Sequence, residues 1–297
     1  MNDSLSHNIS VSTVNKETIS SLVEQINDRL EANKENLHLP LSETKCLLTE
    51  LSEFELGRFL LKNQGLNGYW TAYIFRNEKQ RNQLAPLEDW LLNESLFVMA
   101  RERFYVFKQL AQKALSSNMT LASIPCGLMD DLLDLDYSSV DGINLVGVDI
   151  DKESLELASQ NALAKGFSSD QLFFAQRDAW SLGLHNELDL IVSNGLNMYE
   201  SSEERLISLY QQMYQALTEG GRLIISFIPP LDDNVDIGMS HHDFLTERAI
   251  FDDIIQVNYL NFCTEEQMRK QLQDAGFEVE CIIYNSKGMA PVVEARK

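Results

Sequence analysis

The chain has 297 residues, of which 44% are hydrophobic, enough for one large core or for a core with an accessory domain. Its formal net charge of −21 would repel nucleic-acid backbones and anionic membrane surfaces, and no long basic run offsets it. No stretch approaches the ~18 apolar residues of a membrane span, and the polar N-terminus does not resemble a signal peptide. We therefore predict a cytoplasmic protein without nucleic-acid or membrane partners.

The four cysteines are far apart and have no CxxC spacing, which fits a reduced cytoplasmic protein without structural zinc. An acidic run could suggest a hard metal such as magnesium. It comprises Asp130, Asp131, Asp134 and Asp136. Acidic residues along a solvated helix explain this run more simply, so we predict no metal site.

The first part of the chain is predicted to be helical. Residues 1–14 are polar and are predicted to be disordered. An amphipathic helix is predicted next, because apolar side chains recur at helical spacing. Its apolar face comprises Ile19, Leu22, Val23, Ile26 and Leu30.

Ser52 and Glu55 form a candidate capping box for a second helix, which runs through Lys62. The segment GLNGYWTAY is then predicted to be a flexible, aromatic-rich stretch that leads to the substrate or cofactor pocket. A long helix is predicted over 93–116. Residues 15–93 are therefore predicted to form an N-terminal helical cap.

From Leu121 onward, apolar strands alternate with helices, which predicts an α/β sheet with parallel strands in residues 94–297. The predicted strands read LASI, INLVGVD, LFFAQ, LDLIVSN and RLIISFI, followed by a terminal hairpin of FEVECIIYN and APVVEA. Ser201 and Glu204 are predicted to cap the helix after the fourth strand, and Gly220 and Gly221 to end it.

The most informative segment is 121–158. A strand enters the loop PCGLMDD, and a second strand ends at Asp149 before a helix. This is the first half of a Rossmann unit, in which an acidic side chain at the second strand's end holds a ribose. The separation of Gly127 and Asp149 is close to the ~20 residues expected for that contact. The alternative is that Asp149 caps the helix that follows.

These motifs, in this order, resemble the class I S-adenosylmethionine-dependent methyltransferases. The resemblance covers residues 93–297 and also includes RDAW, LDLIVSNGLN, the EGG before the fifth strand and AGFEVE before the hairpin. It implies a Rossmann-like seven-stranded sheet with helices on both faces, its last strand antiparallel and inserted between the fifth and sixth. It also implies S-adenosyl-L-methionine as the cofactor. The N-terminal residues resemble the helical extensions that cover the active site in small-molecule members.

The resemblance assigns cofactor contacts to the loop after the first strand, to Asp149 for the ribose, and to Asp178 for the adenine amino group. The full candidate set is Pro125, Cys126, Gly127, Asp149, Ile150, Asp178, Ala179, Trp180 and Asn194. The glycine motif departs from the family pattern. Ser123 stands at the acidic position, and Pro125 and Met129 replace the outer glycines. Asp130 and Asp131 could supply the lost carboxylate toward the cofactor's amino group.

The acceptor side is less defined. The segment Asn194-Gly195-Leu196-Asn197 lacks the prolines of the Asn-Pro-Pro-Tyr motif, which weakens a nucleic-acid or protein-glutamine acceptor. Candidate substrate-pocket residues are Tyr69, Trp70, Asn197 and Glu200. Tyr199 and His241 are the candidate catalytic residues. His241 lies beside His242 in the insertion after the fifth strand and could act as a general base.

Each of these acceptor-side candidates has an alternative. Tyr199 and Glu200 could simply begin the next helix, the histidines could sit in a solvated loop, and Tyr69 and Trp70 could be core aromatics.

The sequence thus predicts a methyltransferase that acts on a small molecule, with the helical cap over the carboxyl ends of the strands. A NAD-dependent oxidoreductase and a non-catalytic cofactor-binding protein are the alternatives. The cap helices could instead pack on the far side of the sheet or form a contact in a homodimer.

Overall fold

The computed structural model describes residues 16–76, 84–230, 239–257, 261–285 and 288–297. The described residues divide into two compact units. One, the sheet unit, holds residues 99–230 and 261–297; the other, the helical unit, holds residues 16–98 and 239–257.

The sheet unit is built on seven strands in the order β3-β2-β1-β4-β5-β7-β6. They are β1 Thr120–Ser123, β2 Asn144–Asp149, β3 Leu172–Gln176, β4 Leu188–Ser193, β5 Leu217–Ser226, β6 Glu278–Ile283 and β7 Val292–Arg296. The first five strands pair in parallel, and β7 lies antiparallel between β5 and β6. This confirms the predicted Rossmann-like sheet. The strand order reverses between β1 and β4, and ligands of such sheets bind at the carboxyl ends beside that point.

Helices cover both faces of the sheet, which explains why its central strands read as continuous apolar runs. They are α6 Ser95–Ala114, α7 Asp130–Leu133, α8 Lys152–Ala164, α9 Glu203–Ala216 and α11 Glu265–Asp274. One apolar core joins the sheet to α9 and α11, and a second joins it to α6, α7 and α8.

Two predictions about α9 are wrong. The hydroxyl of Ser202, not of Ser201, caps the helix by accepting from Arg205 N at 3.4 Å. The helix ends at Ala216, and Gly220 lies inside β5 with a φ of +77°, where the register of β5 against β4 shifts. The glycines therefore serve an irregularity of the strand, which needs left-handed backbone, and not the end of the helix.

The helical unit contains α1 Lys16–Ala32, α2 Leu41–Leu51, α3 Glu55–Asn63, α4 Gly68–Arg76, α5 Pro86–Asn93 and α10 His241–Arg248. It has a core of its own. The predicted first helix is confirmed by α1. The capping box of Ser52 and Glu55 is wrong, because α3 begins at Glu55 with Phe54 at its N-cap and no side-chain cap. The segment predicted as a flexible stretch forms α4.

A π-helix, Ala249–Ile255, continues α10, and no sequence signal predicted it. Arg29 of α1 and His38, which lies between α1 and α2, contact its last turn. Arg29 Nη2 donates to the carbonyl oxygens of Asp253 at 3.0 Å and of Ile254 at 2.5 Å. His38 N donates to the Asp253 carboxylate at 2.9 Å. The Arg29 guanidinium thus satisfies backbone carbonyls that a helix end leaves unpaired.

Within the ranges that the structure describes, no helix combines the length and the apolar character that crossing a membrane requires.

Candidate active site

The carboxylate of Asp149 lies at the end of β2 and joins two loops. Its Oδ2 accepts a hydrogen bond from Gly127 N at 2.9 Å, and its Oδ1 accepts one from Asp151 N at 3.0 Å. Only 9% of the residue is exposed, and burial raises the pKa of the carboxyl group. The helix-cap alternative for Asp149 is wrong, because the cap of α8 is Asp151, which accepts from Glu153 N at 3.1 Å and Ser154 N at 3.3 Å.

The loop after β1 turns back on itself with a single glycine. Cys126 N donates to the carbonyl of Val148 at 2.9 Å, and Gly127 has a φ of +48°. Met129, which stands where the family has a glycine, also has left-handed backbone, with a φ of +61°. Its Cε lies 2.9 Å from where a Cβ on Gly147 would be, so a glycine of β2 makes room for this methionine.

Asp131, in the first turn of α7, contacts the serine that replaces the family's acidic residue. Ser123 Oγ donates to Asp131 Oδ2 at 3.0 Å, and Leu132 N donates to Oδ1 at 3.0 Å. Burial, with a smaller effect from the neighbouring Asp130, raises the pKa of Asp131 to about 7. A carboxylate is thus present beside the strand's end, although it comes from the helix.

The loops after β2 and β3 carry the candidates for the adenine side. Ile150 is 43% exposed beside the buried Asp149. Asp178 is exposed and accepts from Trp180 N at 2.9 Å through one oxygen, while Ala179 is buried. The indole of Trp180 is held against α9: its Nε1 donates to Arg205 O at 2.8 Å, and the Arg205 guanidinium lies 5.0 Å from the ring centre.

After β4 the chain forms a short 3₁₀ helix, Leu196–Tyr199. Asn197 is fully buried, and its Nδ2 donates to Ser226 O at 2.9 Å and to the Tyr210 hydroxyl at 3.2 Å. It therefore ties the end of β5 to α9. Four buried polar atoms at or just after the ends of β4 and β5 have no hydrogen-bond partner among the described residues. They are Ser193 Oγ, Asn194 Oδ1, Asn197 Oδ1 and Ser226 Oγ.

The side chains of Glu200 and Tyr199 differ in what they contact. Glu200 is buried, accepts from Ser202 N at 2.8 Å and pairs with Arg205 Nε. It therefore begins α9, as its alternative interpretation has it. Tyr199 is half-buried.

The remaining candidates lie in the helical unit. His241 and His242 are exposed in the first turn of α10, which Ser240 caps, and are therefore not in a loop. Trp70 is buried in the core of the unit, and Tyr69 is half-buried beside it, with ring centres 5.1 Å apart. The cover of the strand ends by this unit stays a prediction.

The sheet unit thus brings together the candidates from the loops after its first four strands. Sequence reasoning missed Gly147 and Ser226. The position of Ser226 at the end of a predicted parallel strand was a usable signal for a site residue. In the described part of the chain, no cluster of three or more His, Cys, Asp or Glu side chains could hold a metal ion.

Comparisons with known proteins point to one family. A family model described as a methyltransferase domain matches residues 115–280, more than half of the chain. A crystal structure of a possible exported protein from Bordetella parapertussis is 33% identical, with a TM-score of 0.89 over 97% of this chain and 99% of that chain. No curated protein matches the chain.

More distant structures share the fold. Magnesium protoporphyrin IX methyltransferase from Synechocystis PCC 6803, with bound SAH, is 17% identical, with a TM-score of 0.54 over 77% of this chain and 94% of that chain. The [4+2]-cyclase SpnF is 16% identical, with a TM-score of 0.51 over 69% of this chain and 83% of that chain. The fold alone therefore does not decide the reaction.

Proposed function

Because this chain belongs to the class I S-adenosylmethionine-dependent methyltransferase family, we propose that it transfers the methyl group of S-adenosylmethionine to a small-molecule acceptor. The observation that carries the proposal is the position of Asp149. This buried carboxylate lies at the end of β2, next to the point where the strand order reverses. A carboxylate there can accept both hydroxyls of a ribose.

The residues present fit the adenosyl half of the cofactor. Asp149 accepts from Gly127 N through Oδ2 and from Asp151 N through Oδ1, and a carboxylate oxygen can accept a further hydrogen bond from a ribose hydroxyl. Ile150 offers an exposed apolar side chain next to that carboxylate, on which an adenine ring can pack. Asp178 Oδ1 accepts from Trp180 N, which leaves Oδ2 to accept from the adenine amino group.

The residues also fit the methionine half of the cofactor, although the carboxylate comes from a different position than in the family pattern. Asp131 would supply the carboxylate for the amino group of the cofactor, held in place by Ser123 Oγ. Its raised pKa reflects a buried acid whose hydrogen-bond partners Ser123 Oγ and Leu132 N are neutral. An ammonium group next to it would favour the ionised form.

When bound, the cofactor supplies a methyl group on a positively charged sulfur that is ready for displacement. The task of the chain is to orient the acceptor and to exclude water. Positioning alone can contribute ~7–11 kcal/mol to lowering the barrier. The loop from Asn194 to Glu200 would contact the acceptor, because it follows β4 at the carboxyl edge of the sheet.

A small, polar acceptor fits the charge and the strand ends. The net charge of −21 disfavours nucleic acids, and the loop after β4 lacks the paired prolines of the amino-methylating motif. The polar side-chain atoms of Ser193, Asn194 and Ser226 at the strand ends would favour a polar group over a hydrocarbon. A cytoplasmic location, with all four cysteines free, is part of the same proposal.

The test is calorimetric titration with S-adenosylmethionine, its demethylated product and NAD. We expect micromolar binding of the first two and none of NAD. Tight NAD binding without a response to S-adenosylmethionine would favour the oxidoreductase and reject the proposal. Turnover is then assayed as formation of the demethylated product with a panel of small alcohols, amines and acids. Binding without turnover on any acceptor would favour the non-catalytic alternative.

A further inference from the structure

Two buried hydrogen-bond donors of the helical unit have no acceptor within the part of the chain that the structure describes. They are Trp70 Nε1 and Asn67 Nδ2, on residues that are 6% and 7% exposed, and neither has a partner among the residues that the structure describes. Asn67 directly precedes α4, and Trp70 lies in the first turn of that helix. A buried N–H without an acceptor is costly, and each such group calls for an explanation.

The orientation of the Asn67 amide is fixed by its other end. Asn67 Oδ1 accepts a hydrogen bond from Trp70 N at 3.0 Å, so a flipped amide would place an N–H against an N–H. The Nδ2 group is therefore a donor without a partner among the described residues. The same hydrogen bond joins the two residues, so that both donors come from one turn of a helix.

Aromatic rings surround Trp70. Its ring centre lies 5.1 Å from those of Tyr69 and Tyr73, both edge-on, and 5.8 Å from that of Phe59. Edge-to-face contacts of this kind are how proteins hold planar rings. The hydroxyl of Tyr73 already donates to Glu88 Oε1 at 2.7 Å.

We propose that this aromatic cluster, formed by Phe59, Asn67, Tyr69, Trp70 and Tyr73, binds a neutral aromatic molecule through a carbonyl oxygen. Buried N–H donors call for an acceptor atom on the ligand, which a carbonyl oxygen supplies. A carboxylate or phosphate is disfavoured, because the buried Glu88 carboxylate lies against Tyr73 and the chain carries a net charge of −21. The inference concerns the helical unit alone and does not depend on methyl transfer.

The experiment follows the indole N–H signals of the whole protein by NMR. The chain has three tryptophans, and Trp70→Phe identifies which signal belongs to Trp70. The probes are acetophenone, ethylbenzene, which has a similar ring and no oxygen, and benzoate, which is charged. We expect acetophenone alone to move the Trp70 signal downfield and to saturate, because a new acceptor then meets Nε1–H. The Trp180 signal is an internal reference, since its Nε1 already donates to Arg205 O.

Two variants sharpen the test. Asn67→Asp keeps the oxygen that accepts from Trp70 N and removes the second donor, so the affinity for acetophenone should fall at least fivefold. Trp90→Phe, in the same unit and packed on the same core, is the matched control and should leave the affinity unchanged. The proposal fails if acetophenone leaves the Trp70 signal in place up to its solubility limit. It also fails if ethylbenzene moves the signal equally, since the cluster would then recognise only an apolar ring. These outcomes do not depend on whether S-adenosylmethionine binds, so the proposed function is tested separately.

Discussion

The backbone N–H of Gly127 donates to the carboxylate of Asp149 at 2.9 Å, so the loop after β1 is fastened to the end of β2 by the side chain that is predicted to hold the ribose. The second oxygen of the same carboxylate accepts from Asp151 N. The candidate ribose ligand is therefore also a structural element of the cofactor loop. The side chain is almost fully buried, so its removal affects the fold as well as the contact with the ribose.

Asp149→Ala should weaken binding of S-adenosylmethionine by about 1.5–3 kcal/mol, the scale of a hydrogen bond to a charged group. It should also lower the free energy of unfolding by about 1–3 kcal/mol, because two buried N–H groups lose their acceptor. Calorimetry and urea unfolding measure the two effects. Asp151→Ala is the control: it removes the cap of α8 and costs stability, but cofactor affinity should be unchanged. Equal losses of affinity in both variants would mean that Asp149 affects cofactor binding only by holding the loop after β1 in place, and not by contacting the ribose.

Asp131→Asn should change how stability depends on pH. The folded-state pKa is about 7, well above the ordinary 3.8, so the protonated form is favoured by folding. The stability this contributes is complete below the unfolded pKa and is lost as the pH rises through about 7. Between pH 5 and pH 8, Asp131→Asn should therefore gain about 2–3 kcal/mol relative to the original chain. Urea unfolding of both proteins at the two pH values gives this difference, and a constant difference would contradict the assignment.

Gly147→Ala should destabilise the sheet unit, because a Cβ at this position would lie 2.5 Å from Phe174 Cδ1 and 2.9 Å from Met129 Cε. Overpacking of this kind typically costs about 1–3 kcal/mol. The measurement is the free energy of unfolding. Met129→Ala in the same chain should recover part of the loss, since it removes one of the two contacts. No recovery would show that Phe174 alone sets the limit.

The sheet could be predicted because its signals are redundant. The run from Leu188 to Ser193 is buried at every position except Asp189, as a strand between two helix layers must largely be. The hairpin after α11 follows from two strands with a short connection. The wrong predictions, by contrast, each depended on one or two residues. Ser52 followed by Glu55 has the spacing of a capping box, yet Ser52 ends α2 and its neighbour Phe54 takes the cap position. Such caps are decided by where the next helix packs, which spacing alone does not encode.

The site residues show the same difference between redundant signals and single-residue signals. Asp149 stood out because its spacing from Gly127 is fixed by the fold. The position of Asp131 against Ser123 depends on a helix that begins after the turn at Met129, so the sequence suggested a substitute carboxylate without distinguishing it from Asp130. The sequence could not show whether Trp70 contacts a ligand or only packs in a hydrophobic core, because both roles give the same spacing of apolar residues along a helix.

Asn197→Ala should be among the more damaging changes in the sheet unit, although the residue was first considered for its contact with substrate. Its Nδ2 bridges Ser226 O and the Tyr210 hydroxyl, and its backbone carbonyl accepts from Asn261 Nδ2 at 3.1 Å. Removing the amide takes a donor from both acceptors in a fully buried position, although the Tyr210 hydroxyl keeps its contact with Met268 Sδ. We expect a loss of about 2–4 kcal/mol in the free energy of unfolding.

Tyr210→Phe is the matched control for this change, because it removes one of the two acceptors and leaves the bond to Ser226 O intact. It should cost about 0.5–1.5 kcal/mol. The double variant should lose less than the sum of the two single losses, since the shared hydrogen bond can be removed only once. Strict additivity would show that Asn197 and Tyr210 act independently. A loss below about 1 kcal/mol for Asn197→Ala would mean that Asn197 is not a stability determinant and that its role is to contact the methyl-accepting substrate.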